Sequence, residues 1–238
     1  MRRAALFAAV AAAVAWFLSP DLHWLARGWV AFLLAGMPLL TVWQARELRN
    51  VESLPRRAAY ASSMASLWIL AGLTAGTAWG SGMSLSGMGL AGLPLPVLLV
   101  WTGGLTLAGI LIIALFWLAG FRETPLVREL IPVSASDRGW FVALSATAGI
   151  TEEFVFRGFL IHALVIATGS PVLALVLSSG VFGVVHAYQQ PVGALRATVL
   201  GACLALPLIL HGSILPAILA HAAIDVAAGL WLARYLVR

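Results

Sequence analysis

The chain has 238 residues, 62% of them hydrophobic and 10% charged, with a formal net charge of +5 and a mean hydropathy of +1.00. A soluble domain carries about 25% charged residues; this chain has too few to cover a water-facing surface, so lipid must be its solvent. The basic charge is all Arg, with no Lys, and it is scattered between apolar runs rather than gathered in one stripe, which excludes nucleic acid as a partner.

In chain order, apolar runs broken by polar or Gly/Pro-rich stretches predict eight helices: Ala4–Leu18, Trp29–Trp43, Ala58–Trp79, Leu95–Leu118, Trp140–Thr168, Pro171–His186, Ala197–Leu210 and Ile214–Tyr235. A span needs about 20 apolar residues for a hydrocarbon core of about 30 Å. The first, second, sixth and seventh are short and must borrow flanking residues. The expected fold is all-α, a polytopic transmembrane helical bundle of about eight spans. Arg2 and Arg3 ahead of the run to Leu18 resemble a signal peptide; the hydrophobic segments that follow favour an uncleaved first span, with cleavage as the alternative. Gly80–Gly92 carries no charge and reads as an outside loop. The lone Cys203 lies in an apolar run and is expected to pack as a small hydrophobe.

With the N-terminus inside, twelve of the fourteen Arg fall on inside segments: Arg2, Arg3, Arg46, Arg49, Arg56, Arg57, Arg122, Arg128, Arg138, Arg196, Arg234 and Arg238. Only Arg27 is outside, and Arg157 lies within a span. The positive-inside rule then places both termini in the cytoplasm. Arg without Lys hints at GC-rich coding DNA, so the expected location is a bacterial inner membrane.

Ionisable groups inside spans are costly and mark functional sites by default. Residues 1–139 have almost none and read as N-terminal scaffold helices. Residues 140–238, part of the same membrane domain, hold Glu152, Glu153, Arg157, His186, His221 and Asp225. Glu153 and Arg157 are four apart and share a helix face, so they can pair. Glu152 is rotated by about 100° from its neighbour and is left free for chemistry. His221 and Asp225 also share a face, so Asp225 can orient the imidazole or act beside it. Phe182 precedes His186 by one turn, and Gly183 lets another helix approach. A buried ion network that only joins helices is the alternative use of these groups. His23, His162 and His211 are expected to serve structural or interfacial roles.

The three pieces EEFVFR (Glu152 to Arg157), FGVVH (Phe182 to His186) and HAAID (His221 to Asp225) resemble the CPBP family of intramembrane proteases, which includes type II CAAX prenyl endopeptidases and bacteriocin-immunity-type proteins. The resemblance covers about residues 140–230, and the order of the pieces within apolar spans carries it. It implies an endopeptidase acting on a membrane-associated protein or peptide. Glu152 and His186 would activate water, and His221 and Asp225 would stabilise the oxyanion or complete a polar cage. Glu153 and Arg157 would hold Glu152. Prenyl-processing members typically have Asn where this chain has Asp225, and bacteria generally lack prenylated tails. The expected substrate is therefore a precursor peptide, an immunity target or a C-terminal sorting segment.

Glu152, His186 and His221 are also candidate ligands for a zinc-type divalent metal; a metal-independent mechanism uses the same residues and is the preferred reading. The competing function is a proton-coupled transporter or channel with the same acids and histidines as a relay. That reading expects internal repeats and discontinuous helices, neither of which the sequence suggests. The oligomeric state is not legible.

Overall fold

The computed structural model describes residues 2–17, 20–47 and 55–233. Eight helical rods correspond to the eight expected runs: α1 (Arg2–Phe17), α2 (Trp24–Glu47), α3 (Arg56–Gly80), α4 (Leu95–Leu118), α6 (residues 135–168), α7 (Pro171–Val185), α8 (Gln190–His211) and α9 (Leu215–Leu232). A single-turn helix, α5 (Pro125–Glu129), lies between α4 and α6. The expected ends at Leu18 and Tyr235, and Arg49, Arg234 and Arg238, lie outside the described residues.

Two of the expected starts are corrected by capping. The second helix begins at Trp24 rather than Trp29, because His23 Nδ1 accepts from the Leu25 N–H. The fifth begins at Ala135 rather than Trp140, because Ser134 and Asp137 form a reciprocal capping box. Polar residues that read as loop in a hydropathy pattern are thus first-turn residues that satisfy orphan N–H groups. The seventh begins at Gln190, where Pro191 occupies the first turn, rather than at Ala197.

Five rods among the described residues are long and apolar enough to cross a membrane: α2, α3, α4, α8 with its preceding turn, and α9. Helix α7 is apolar but has only 15 residues, and α6 is long but carries the charged motif. The exposed face of α4 shows Leu99, Val100, Leu107, Leu111 and Leu115, as a lipid-facing helix should.

The bundle has two distinct ends. At one, Arg56 Nε donates to Glu129 O at 2.7 Å, Arg57 pairs with Asp137 at 2.9 Å, and Arg196 pairs with Glu123 at 2.6 Å. The segments expected inside therefore touch one another. At the other end the loop after α3 folds inward instead of hanging in solvent. Gly89 turns the chain at φ 78°, its carbonyl accepts from Ile214 N at 2.9 Å, and Met88 is fully buried.

The main core joins both halves of the chain: Val30 and Leu33 of α2 meet Val155, Phe156 and Phe159 of α6 and Phe182 of α7. A second cluster sets Leu105 and Ile113 of α4 against Ala217, Ala220 and Ile224 of α9, with Cys203 partly buried beside it. Small residues fix the close crossings. A Cβ on Gly149 of α6 would lie 2.7 Å from Ile218 O and 3.1 Å from Ala222 N of α9. This contact sits one turn before the Glu pair and next to His221, so it sets how near the two motifs come. Gly183 of α7 similarly faces Thr198 and Ala194 of α8.

Candidate active site

Helix α6 changes character where its motif begins. From Glu153 to Ile161 it winds as a π-helix, with one extra residue per turn. Ser178 of α7 donates its hydroxyl to Phe156 O at 2.8 Å in this stretch, which ties the widened turns to the neighbouring helix. Such π-segments are frequent at functional sites. Here the segment keeps Glu153 and Arg157 on one face while turning both into the core.

Glu153 is 0% exposed and Arg157 1%. Their closest approach is 3.0 Å, from Arg157 Nη1 to Glu153 Oε1. This is a charge contact more than an aligned hydrogen bond, since both terminal nitrogens of Arg157 lack a hydrogen-bond partner. The guanidinium is also 4.2 Å from the centroid of the Phe182 ring, a cation–π contact strengthened by desolvation. Gly201 of α8 makes room for it: a Cβ there would stand 2.9 Å from Arg157 Nη2.

The same Glu153 oxygen is 2.7 Å from His221 Nδ1. The spacing left Asp225 either to orient His221 or to act beside it; Asp225 Oδ2 is 3.7 Å from His221 Nε2, too far for a hydrogen bond, and its side chain is 39% exposed, so it lies beside the ring without holding it. Glu153 takes the orienting role because the crossing at Gly149 brings α9 close enough for His221 to reach it. Glu153 thus serves two partners, Arg157 on its own helix and His221 on another.

His186 caps α7. Its Nδ1 is 2.7 Å from Phe182 O; a carbonyl only accepts, so Nδ1 carries the hydrogen and Nε2 of the neutral ring is left as an acceptor. That Nε2 is 4.0 Å from Glu152 Oε2, and His221 Nε2 is 3.8 Å from the same oxygen. Glu152 Oε2 is buried and has no hydrogen-bond partner. The structure therefore brings Glu152, Glu153, Arg157, His186, His221 and Asp225 together around one centre. His23, His162 and His211 lie elsewhere: His23 caps α2, His162 packs by Gly87, and His211 meets Trp101 edge-on.

A cavity of about 240 Å³ reaches His186, His221 and Asp225 from the Arg-bearing end of the bundle. Its walls are mostly apolar, from α4, α8 and α9. Its polar lining includes Arg196, which the charge pattern had placed on an inside segment, and Tyr188, Gln189 and Glu123, which no motif singled out. The only signal available was the Tyr188-Gln189-Gln190 run, one residue beyond His186.

Residues 134–227 match the family model described as type II CAAX prenyl endopeptidase Rce1-like. The match spans 94 of the 238 residues, and that segment is similar to the family. No curated protein and no solved structure gives a significant match. The matched segment spans α6 to most of α9 and holds all six motif residues. At the family level it is an intramembrane endopeptidase domain, and a membrane-embedded peptidase acts on peptide in the bilayer. The family match does not favour the transporter reading.

A metal does not fit the observed donor set. Among the described residues no three His, Cys, Asp or Glu side chains are grouped closely enough to hold one. The 4.0 and 3.8 Å separations from Glu152 Oε2 to the two imidazoles exceed the roughly 3.3 Å between ligands of a tetrahedral zinc.

Proposed function

We propose that this Rce1-like domain hydrolyses a peptide bond in a membrane-associated protein or peptide, using a water held between Glu152 and His186. The observation that carries the reading is the unpartnered Glu152 Oε2, buried and flanked by two imidazole Nε2 atoms at 3.8 and 4.0 Å. Such gaps are too long for direct hydrogen bonds, and a polar contact of this length is one that a water can bridge. Glu152 takes one proton from the water and His186 Nε2 accepts the other hydrogen bond. The water oxygen attacks the scissile carbonyl carbon, and the carbonyl electrons move onto its oxygen. Glu152 then returns its proton to the leaving nitrogen as the C–N bond breaks. His221, fixed by Glu153, faces the reacting centre with Nε2, and Asp225 lies beside it. The apolar cavity admits the substrate chain from the Arg-bearing end.

Purified protein in proteoliposomes is expected to cut a transmembrane reporter peptide into two fragments, seen by mass spectrometry, without carrying protons across the vesicle wall. Proton flux with no cleavage would replace this reading with the transporter.

We further propose that the Arg-bearing end faces the cytoplasm of a bacterial inner membrane, with both termini on that side. In a Cys203→Ser background, an impermeant maleimide applied to spheroplasts is expected to label Leu85→Cys, at the exposed far loop, and to spare Ser136→Cys. The reverse labelling would invert the topology.

A further inference from the structure

Hydrolysis through a tetrahedral intermediate needs a hydrogen-bond donor aimed at the oxygen that becomes negative. The motif position beside His221 is Asp225, and an ionised carboxylate has no hydrogen to give. His221 Nε2 faces the same centre and gives one hydrogen when both ring nitrogens carry one; a second donor must come from elsewhere on the cavity wall.

We propose that Tyr188 is that donor, a catalytic residue whose hydroxyl hydrogen points to the oxyanion; this rests on the peptidase reading above. Two hydroxyls line the cavity among the described residues, Tyr60 and Tyr188. Tyr60 gives its hydrogen to Leu130 O at 2.5 Å, so only Tyr188 remains.

The direction of its hydrogen follows from a chain of contacts. Glu123 holds Arg196 at 2.6 Å. Arg196 Nη2 donates to Gln189 Oε1 at 3.2 Å. An arginine can only donate, so the amide oxygen of Gln189 must face it and the amide nitrogen must face the other way. That nitrogen is 3.0 Å from the Tyr188 hydroxyl and donates to it. The tyrosine oxygen is thereby the acceptor, and its own hydrogen is left for the cavity.

Position agrees. The Tyr188 ring lies 5.8 Å from the His186 ring, centroid to centroid, and both line the cavity with His221 and Asp225. The turn that presents Tyr188 closes at Gln190, whose φ of 64° and ψ of 175° fall in a region otherwise almost confined to glycine. A residue held there by its surroundings fixes the preceding Tyr-Gln pair in place.

The test is steady-state cleavage of a transmembrane reporter by the purified full chain in detergent. Tyr188→Phe keeps the ring and removes the hydrogen. It is expected to lower kcat by about 10²-fold or more, the size of effect seen when one oxyanion donor is lost, with KM and the unfolding temperature unchanged. Gln189→Glu keeps the shape but lets a carboxylate capture the tyrosine hydrogen, and is expected to lower kcat in the same way. If either folded variant turns over at the wild-type kcat, or loses activity through KM alone, the assignment of Tyr188 is overturned. A wild-type chain that cleaves nothing would instead sink the peptidase reading on which the assignment rests.

Discussion

Glu153→Gln is expected to destabilise the protein by about 3–5 kcal/mol, the usual cost of removing one partner from a buried ion pair. Arg157 is 1% exposed and Glu153 0% exposed, so the stranded guanidinium has no water to turn to. The ring of Phe182 at 4.2 Å offsets only part of that loss, since a desolvated cation–π contact is worth about 2 kcal/mol. His221 Nδ1 simultaneously trades a carboxylate acceptor at 2.7 Å for a neutral amide. Thermal unfolding in detergent measures the first effect and reporter turnover the second. The double variant Glu153→Gln/Arg157→Met separates them. Removing the guanidinium leaves no unpaired buried charge, so stability is expected to return while activity stays low, because His221 still lacks its carboxylate. An unfolding temperature for Glu153→Gln equal to that of the wild type would show that the pair contributes no stability.

The membrane class, the eight apolar runs and the convergence of charge at one end are legible because lipid imposes them residue by residue: a span must be apolar, and a charge must reach an end or a partner. The Glu153–Arg157 contact is legible as well, because it lies within one helix and follows from spacing alone. What the spacing could not give is anything that depends on two helices at once. Asp225 is four residues from His221 and looked like its partner. Glu153, 68 positions away in sequence, is the residue that actually bonds it, and the crossing that allows this rests on the missing side chain of Gly149. The starts of α2 and α6 were placed late because capping uses polar residues, which a hydropathy pattern reads as loop. The inward-folded Gly-rich loop was equally hidden, since its buried Met88 depends on backbone pairing with Ser213 and Ile214. The family resemblance reached the six motif residues but not Tyr188, which stands just outside the second motif.

The central claim is that Glu152, and not its neighbour, takes the proton from the attacking water. Glu152 and Glu153 are adjacent in sequence and each has a buried Oε2 with no hydrogen-bond partner; Glu153 is tied through its Oε1 to Arg157 and His221, whereas Glu152 Oε2 faces two imidazole Nε2 atoms at 3.8 and 4.0 Å. Glutamine in place of Glu152 keeps the shape and still accepts hydrogen bonds, but it is not basic. Because Glu152 is not the counter-ion in contact with Arg157, its loss is expected to leave the fold intact, in contrast to Glu153→Gln. General-base contributions are typically 10²–10⁴-fold, and here the same carboxyl also returns the proton to the leaving nitrogen, so turnover is expected to fall by about 10³-fold or more. The measurement is the cleavage rate of a transmembrane reporter by purified wild type and Glu152→Gln side by side, with thermal unfolding recorded on the same samples. Cleavage by the wild type is expected, with none above background for Glu152→Gln and matching unfolding temperatures. Wild-type turnover by folded Glu152→Gln would contradict it.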